Sequence, residues 1–269
     1  MLYLIATPIG NMGDISYRAV ETLKAADCIY CEDTRRTLQL LTYLKIRKPV
    51  ASLHEHNERS RSAEVVERLR QGDTVAYVSD AGMPAISDPG ALLVEACIEA
   101  EQPFTVVPGA SAVLTAAVLS GLPPQPFTFF GFLPRGGKER KETLSEIQHT
   151  NHLCLLYESP HRVLQTLTEL YEQVGDSPAA VLRELTKKFE TVYRGTLSEL
   201  MEQFQTEPKG ECVIAVLPKK QEEEAFDLDK TLRELLLTHS TKDAAAIVAS
   251  THPIPKKVAY ARALELQSE

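Results

Sequence analysis

The first 120 residues alternate short apolar runs with amphipathic stretches, and this alternation constrains the fold more than any other feature of the chain. Residues 2–7, 28–32, 50–54, 74–79 and 104–107 have the length and apolar content of strands. Helical spacing begins at Ser16, with Ala19, Val20 and Leu23 on one face, and returns over 63–71, 91–100 and 110–119. The first run closes in the turn Pro8-Ile9-Gly10-Asn11, and Gly72 and Gly121 stand where helices should stop. Such alternation predicts a mainly parallel sheet covered by helices.

Leu122-Pro123-Pro124-Gln125-Pro126 breaks the pattern, because prolines at this density resist both helix and central strand. Beyond it, strands are expected at 127–132, 153–157, 179–185, 190–194 and 212–217, with helices at 138–148, 162–173 and 197–205. That is a second α/β domain, mixed in strand direction. Gln221-Glu222-Glu223-Glu224 reads as a solvated hinge. Three short helices, 228–238, 242–249 and 256–266, follow, separated by Ser240-Thr241 and His252-Pro253-Ile254-Pro255. They have the outline of a helix-turn-helix, or equally of a small helical cap. The expected domains are therefore 1–121, 122–220 and 226–269.

Composition narrows the class. At 269 residues, 43% hydrophobic and 25% charged, the chain has the profile of a soluble globular protein. No stretch approaches the roughly 20 apolar residues that span a bilayer. Met1-Leu2-Tyr3-Leu4-Ile5 lacks a basic leader region and reads as a first strand, so a cytoplasmic protein is expected. Cys28 and Cys31 form a C-x-x-C, but within a strand this spacing puts them on opposite faces, and no second pair completes a metal site. Buried structural thiols are the expected outcome. The net charge of −8 argues mildly against a nucleic-acid partner. The basic residues are nevertheless clustered, as Lys45, Arg47 and Lys48, as Arg59, Arg61, Arg68 and Arg70, and as Arg135, Lys138, Arg140 and Lys141. An acidic protein can carry a basic groove.

The densest unusual segment runs from Val78 through Ser79-Asp80-Ala81-Gly82-Met83-Pro84-Ala85-Ile86-Ser87-Asp88-Pro89 to Gly90, between a strand and a helix. It falls at the carboxyl end of the parallel sheet, where α/β proteins bind ligands. Neither G-x-G-x-x-G nor a P-loop is present, and Asp80 and Asp88 would repel a phosphate. Carboxylates suit ribose hydroxyls, an amine or a sulfonium cation. Pro108-Gly109-Ala110-Ser111-Ala112, Tyr157-Glu158-Ser159-Pro160-His161-Arg162 and Glu32-Asp33-Thr34-Arg35-Arg36 also end strands, though each in isolation has a turn-and-cap explanation.

Together with Thr7-Pro8-Ile9-Gly10-Asn11, these segments resemble, in order, the motifs of the ribosomal RNA small subunit methyltransferase I family of the tetrapyrrole methylase superfamily. The resemblance covers residues 1 to about 218, and the tail looks like that family's small helix-turn-helix domain. It implies a two-domain α/β fold holding S-adenosylmethionine in the interdomain cleft, without metal, in a homodimer. The implied target is the 2′-oxygen of a cytidine in the decoding region of 16S ribosomal RNA in the small subunit. By motif match, Pro8, Asp80, Gly82, Pro84, Ser111 and Ala112 would touch the cosubstrate, with Tyr157, Glu158, Thr186 and the Gly210-Glu211 region closing over it.

A ribose hydroxyl is a poor nucleophile, so a base or a cation at the alkoxide should assist. His54, Glu55 and Lys187 are the candidates, and Arg35, Arg36, His56, Arg162 and Lys188 are expected to serve the RNA. Two other functions compete: methylation of a tetrapyrrole macrocycle, and a non-enzymatic nucleic-acid-binding regulator using the tail.

Overall fold

The computed structural model describes residues 1–219, 227–251 and 254–268. Its first part runs β1 (Leu2–Ile5), α1 (Tyr17–Ala25), β2 (Cys28–Cys31), α2 (Thr34–Tyr43), β3 (Val50–Ser52), α3 (Glu58–Arg70), β4 (Val75–Val78), α4 (Ala91–Glu99), β5 (Phe104–Val107) and α5 (Ala112–Leu119). The five strands pair in parallel in the order β3-β2-β4-β1-β5. Their carboxyl ends therefore share one edge, with the loops after β4, β1 and β5 side by side.

The central strands are buried on both faces. Cys28, Tyr30 and Tyr77 pack with Val65 and Leu69 of α3 and Leu93 and Cys97 of α4. Ile29, Cys31 and Val78 face Leu23 of α1 and Leu41 of α2. The two cysteines thus point to opposite faces, both buried and free, as strand alternation requires.

Two helical features depart from the sequence expectation. The apolar spacing does not reveal helix α2, because Thr37 occupies the first place of its buried Thr37-Leu40-Leu41 stripe and hides the apolar period. Asp33 starts it by accepting from the Arg35 amide. Arg35 and Arg36 consequently lie in a first helical turn and not in a strand-end loop. Helix α3 begins five residues before the expected Ala63, since Glu58 and Ser62 hold the first two places of its buried face.

The second part comprises β6 (Phe127–Phe132), α6 (Gly137–His149), β7 (Leu153–Glu158), α7 (Val163–Val174), β8 (Pro178–Arg183), β9 (Thr191–Thr196), α8 (Leu197–Gln203) and β10 (Cys212–Val216). The sheet order is β6-β7-β10-β8-β9, with β6 parallel to β7 and the other pairs antiparallel. One face is covered by α6, α7 and α8 through Leu144, Ile147, Leu167 and Leu200. The other, bearing Leu155, Leu182 and Ala215, packs on Ile9 and on Val113 and Ala116 of α5. This shared core joins the two sheets.

Met1–Lys219 form one compact unit and Lys220–Glu269 another. In the latter, α9 (Leu228–Leu236), α10 (Thr241–Thr251) and α11 (Lys256–Ser268) enclose Leu232, Ala244, Val248 and Ala263. Arg262 ties α11 to α9 by donating to Asp229 at 2.7 and 2.5 Å. The Glu-rich stretch 221–224, residue 226 at the expected tail boundary and His252-Pro253 lie outside the described residues. Among the described residues no helix is long and apolar enough to cross a membrane.

Candidate active site

The loop between β4 and α4 is unusually strained. Gly82, Ala85, Ser87 and Gly90 all have positive φ, at 83°, 67°, 61° and 131°. For Ala and Ser this conformation costs of order 1 kcal/mol or more, and such strain persists only where surroundings impose it. Three contacts impose it here. The loop bridges to the end of β1, with Thr7 N donating to Gly82 O at 2.9 Å and Gly82 N to Thr7 O at 3.1 Å. The buried Tyr77 hydroxyl donates to Pro89 O at 2.9 Å. The buried Glu58 carboxylate accepts from Gly90 N at 2.8 Å and Leu92 N at 3.0 Å. Gly90 has no side chain to cap α4, so a carboxylate from α3 does so instead.

This loop, the start of α5 and the end of β7 enclose a cavity of about 370 Å³. Its floor is buried: Ile9, Gly82, Glu158, Leu185, Cys212 and Val213. Its rim is open: Ile86 is 47% exposed and Phe132 56%. Asp88 and Tyr157 also line it, half-buried. Desolvation, then the neighbouring Glu32 charge, pushes the Asp88 carboxyl up from 3.8 to about 6, against a lowering hydrogen bond from Ser79. Desolvation also pushes Tyr157 up to about 12, with Asp88 and Glu211 adding to it.

Of the residues expected at the cosubstrate, Gly82, Ser111, Ala112, Tyr157 and Glu158 line this cavity. Pro8 and Asp80 instead line a neighbouring 210 Å³ depression with Arg36. Asp80 accepts from the Asp33 amide at 2.9 Å and pairs with Arg36 at 3.4 Å, so it pins the start of α2. Pro84 is buried and does not line the cavity. Thr186 lies beside Gly10, and its Oγ1 is buried with no hydrogen-bond partner among the described residues. The Glu158 side chain faces inward. It accepts from Ser159 N at 2.8 Å and Thr166 Oγ1 at 2.7 Å, and pairs with Arg162 at 3.2 Å.

The residues expected at the acceptor are scattered. His54 and His56 stand edge to face, 5.9 Å apart, and with Glu55 they belong to the turn that leads into Glu58, away from the cavity lining. The backbone of His54 donates to Asn57 Oδ1 at 2.8 Å. Lys187 donates to Glu184 at 2.7 Å and Glu211 at 3.0 Å. Desolvation draws its pKa down, but these two carboxylates prevail and raise it. Arg35 is 87% exposed and pairs with Asp33 at 2.7 Å. Lys188 is exposed over the Phe189 ring. Arg162 donates to Leu133 O at 2.7 Å. Sequence reasoning missed Glu58, which stands outside the loop it holds, and Phe132, which looks like an ordinary strand residue. Among the described residues no three His, Cys, Asp or Glu gather as a metal site.

Comparison with known proteins matches residues 1–201 to the family model of tetrapyrrole (corrin/porphyrin) methylases, and residues 222–267 to the RsmI C-terminal HTH domain. A Vibrio cholerae protein named ribosomal RNA small subunit methyltransferase I is 42% identical over 98% of this chain and 94% of its own length. The Synechocystis protein of that name is 40% identical over 100% and 99%. The Bacillus subtilis protein of that name is 46% identical over 75% and 69%. Among solved structures, a diphthine synthase superposes with a TM-score of 0.63 at 19% identity, covering 80% of this chain and 88% of its own. Uroporphyrin-III C-methyl transferase from Thermus thermophilus, complexed with S-adenyl homocysteine, gives 0.59 at 18%, covering 80% and 96%. These two likenesses concern the fold.

Proposed function

This chain belongs to the tetrapyrrole methylase family, in the group of the ribosomal RNA small subunit methyltransferases I, and on that premise we propose that it methylates the ribose 2′-oxygen of a cytidine in the decoding region of 16S ribosomal RNA, using S-adenosylmethionine. The observation that carries the reading is the cavity itself: the strained loop of one sheet and the Tyr157–Pro160 end of the other enclose one ligand-sized space.

The residues fit the cosubstrate. The backbone at Gly82, Ser111 and Ala112 permits close approach, Asp88 and Glu211 offer negative charge to a cation, and Thr186, next to the lining residue Leu185, has a buried hydroxyl without a partner among the described residues. S-adenosylmethionine supplies a methyl group on a sulfonium, which leaves a neutral thioether. The chain must then position the ribose, exclude water and accept one proton. We assign the proton to Asp88. It lines the cavity, as His54, Glu55 and Lys187 do not, and its raised pKa brings it towards the range of a useful base. As O2′ bonds to the methyl group, its proton passes to the Asp88 carboxylate. Arg35 and Arg36, beside the same sheet edge, are assigned to RNA phosphates.

A homodimer belongs to the same reading. Helix α5 is apolar except for Thr115, and Leu114 and Val118 on its outer face are exposed. A second copy is the occupant proposed for that face, and sedimentation equilibrium of the protein should give twice the chain mass. A cytoplasmic location follows from the substrate.

The deciding experiment supplies labelled S-adenosylmethionine with small ribosomal subunits and, separately, a corrin precursor, and maps the label. Label at a cytidine 2′-oxygen supports the reading. Label in the macrocycle, or in a base, overturns it.

A further inference from the structure

We propose that Phe132 is the platform on which the base of the acceptor nucleotide stacks, with Arg135 and Lys138 holding the adjoining phosphates. The inference rests on the reading above and deepens it.

It begins with a register shift. Strand β6 pairs with β7 as Phe127↔Leu153, Thr128↔Cys154 and Phe129↔Leu155, but then as Phe132↔Tyr157. Three residues of β6 thus span two of β7, a bulge centred near Gly131, whose φ is +65°. In a regular strand Phe132 would share a face with Phe130, which packs into the core under α6 and α7. The extra residue puts it instead on the face of Phe129. There its ring meets Tyr157 at 5.4 Å, and Tyr157 in turn stands edge-on to Phe129 at 4.8 Å. Phe132 ends an aromatic row and remains 56% exposed on the cavity rim.

The surroundings fit an RNA strand. A Cβ on Gly131 would stand 3.3 Å from Ser87 Oγ, so the bulge touches the loop that carries Asp88. Platform and proton acceptor therefore share one rim. Two arginines fasten the chain just beyond the ring: Arg162 donates to Leu133 O at 2.7 Å, and Arg140 to Pro134 O at 2.8 Å. Arg140 is itself buried and held by Glu169 and Thr166. After this anchorage Arg135, Gly136, Gly137 and Lys138 all stand exposed, and a Cβ on either glycine would meet nothing among the described residues. Lys138 reaches Glu142 of its own helix at 3.3 Å, and both cations remain open to solvent. RNA is read where unstacked bases meet aromatic faces, and an enzyme acting on one nucleotide must draw it out of its stack. An exposed ring at the cavity mouth, flanked by two cations, offers both contacts.

The competing occupant of the ring is the adenine of the cosubstrate, and the test separates the two. Parent protein and the variants Phe132→Leu, Phe132→Ala and Phe132→Tyr are given labelled S-adenosylmethionine and small subunits that lack the modification. Cosubstrate affinity is measured by calorimetry. Phe132→Leu and Phe132→Ala should raise KM for subunits about 10-fold, within the range of one base–aromatic stack. Cosubstrate Kd should stay within about twofold, and Phe132→Tyr should restore the parent KM. The double variant Arg135→Ala, Lys138→Ala should raise the same KM and flatten its salt dependence. An unchanged KM in Phe132→Leu, a loss confined to kcat, or a parallel loss of cosubstrate affinity overturns the proposal. A parent protein that leaves subunits unmethylated overturns the preceding reading, whatever the variants do.

Discussion

Asp88 is held where its surroundings oppose its charge: desolvation first, then Glu32, raise its pKa to about 6. Turnover at saturating substrates should fall as pH drops through about 6, since protonation removes the acceptor. Asp88→Asn should lower the rate and abolish that limb of the profile, and an unaltered profile would exclude Asp88 as the base. The stability effect has the opposite sense. A carboxyl raised on folding favours the native state below its unfolded pKa, and this advantage is lost as pH rises from about 4 to about 6. Asp88→Asn should therefore stabilise the protein at neutral pH by about 1 kcal/mol after allowance for solvent at the rim, or roughly 2–4 °C in Tm. Elsewhere, charged side chains that look available are engaged. Glu158, Arg162, Arg140 and Lys187 all spend their charge on neighbouring groups, and so fix backbone around the cavity.

The β4–α4 loop shows how one element is shaped by another. Its positive φ values are sustained by the end of β1, by Tyr77 beneath it and by Glu58 from α3. Glu58→Ala would leave the buried Gly90 amide and the partly buried Leu92 amide unpaired, at a cost of about 1–3 kcal/mol. Cosubstrate affinity should fall with it, although Glu58 does not line the cavity. Glu58→Gln retains an acceptor and should recover most of the stability. Thermal melts paired with calorimetry check both, and if Glu58→Ala binds cosubstrate like the parent, the cap does not shape the site.

For the whole molecule, the cavity and both sheets lie within Met1–Lys219, while the three-helix unit has its own core. A chain ending at Lys219 should therefore keep its fold and bind S-adenosylmethionine within about twofold of the full chain. On the proposed reading that the helical unit serves RNA attachment, its KM for small subunits should rise. Calorimetry and methyl transfer measure the two separately, and loss of cosubstrate binding would show that the unit completes the site.

Local chemistry made much of this legible from sequence. Strands β5 and β6 fall on their expected residues because nothing but apolar periodicity and flanking turns defines them. The opposite-facing Cys28 and Cys31 follow from strand alternation alone, and the loop at 79–90 stands out through its glycines, prolines and carboxylates. What the sequence left open depends on partners distant along the chain. Helix α2 was hidden because a threonine can fill an apolar place once tertiary packing buries it. Glu58 became a cap only when α3 lay beside α4, 32 residues away. His54 and Glu55 carry the chemistry of a base and Lys187 that of a cation at an alkoxide, but packing took them to a turn and an ion-pair network, and set Asp88 in the cavity. Phe132 reads as a core strand residue until one register shift turns it outward. Period and turn chemistry are encoded over a few residues; which side chain faces a cavity is decided by long-range pairing, and that exists only once the chain has folded.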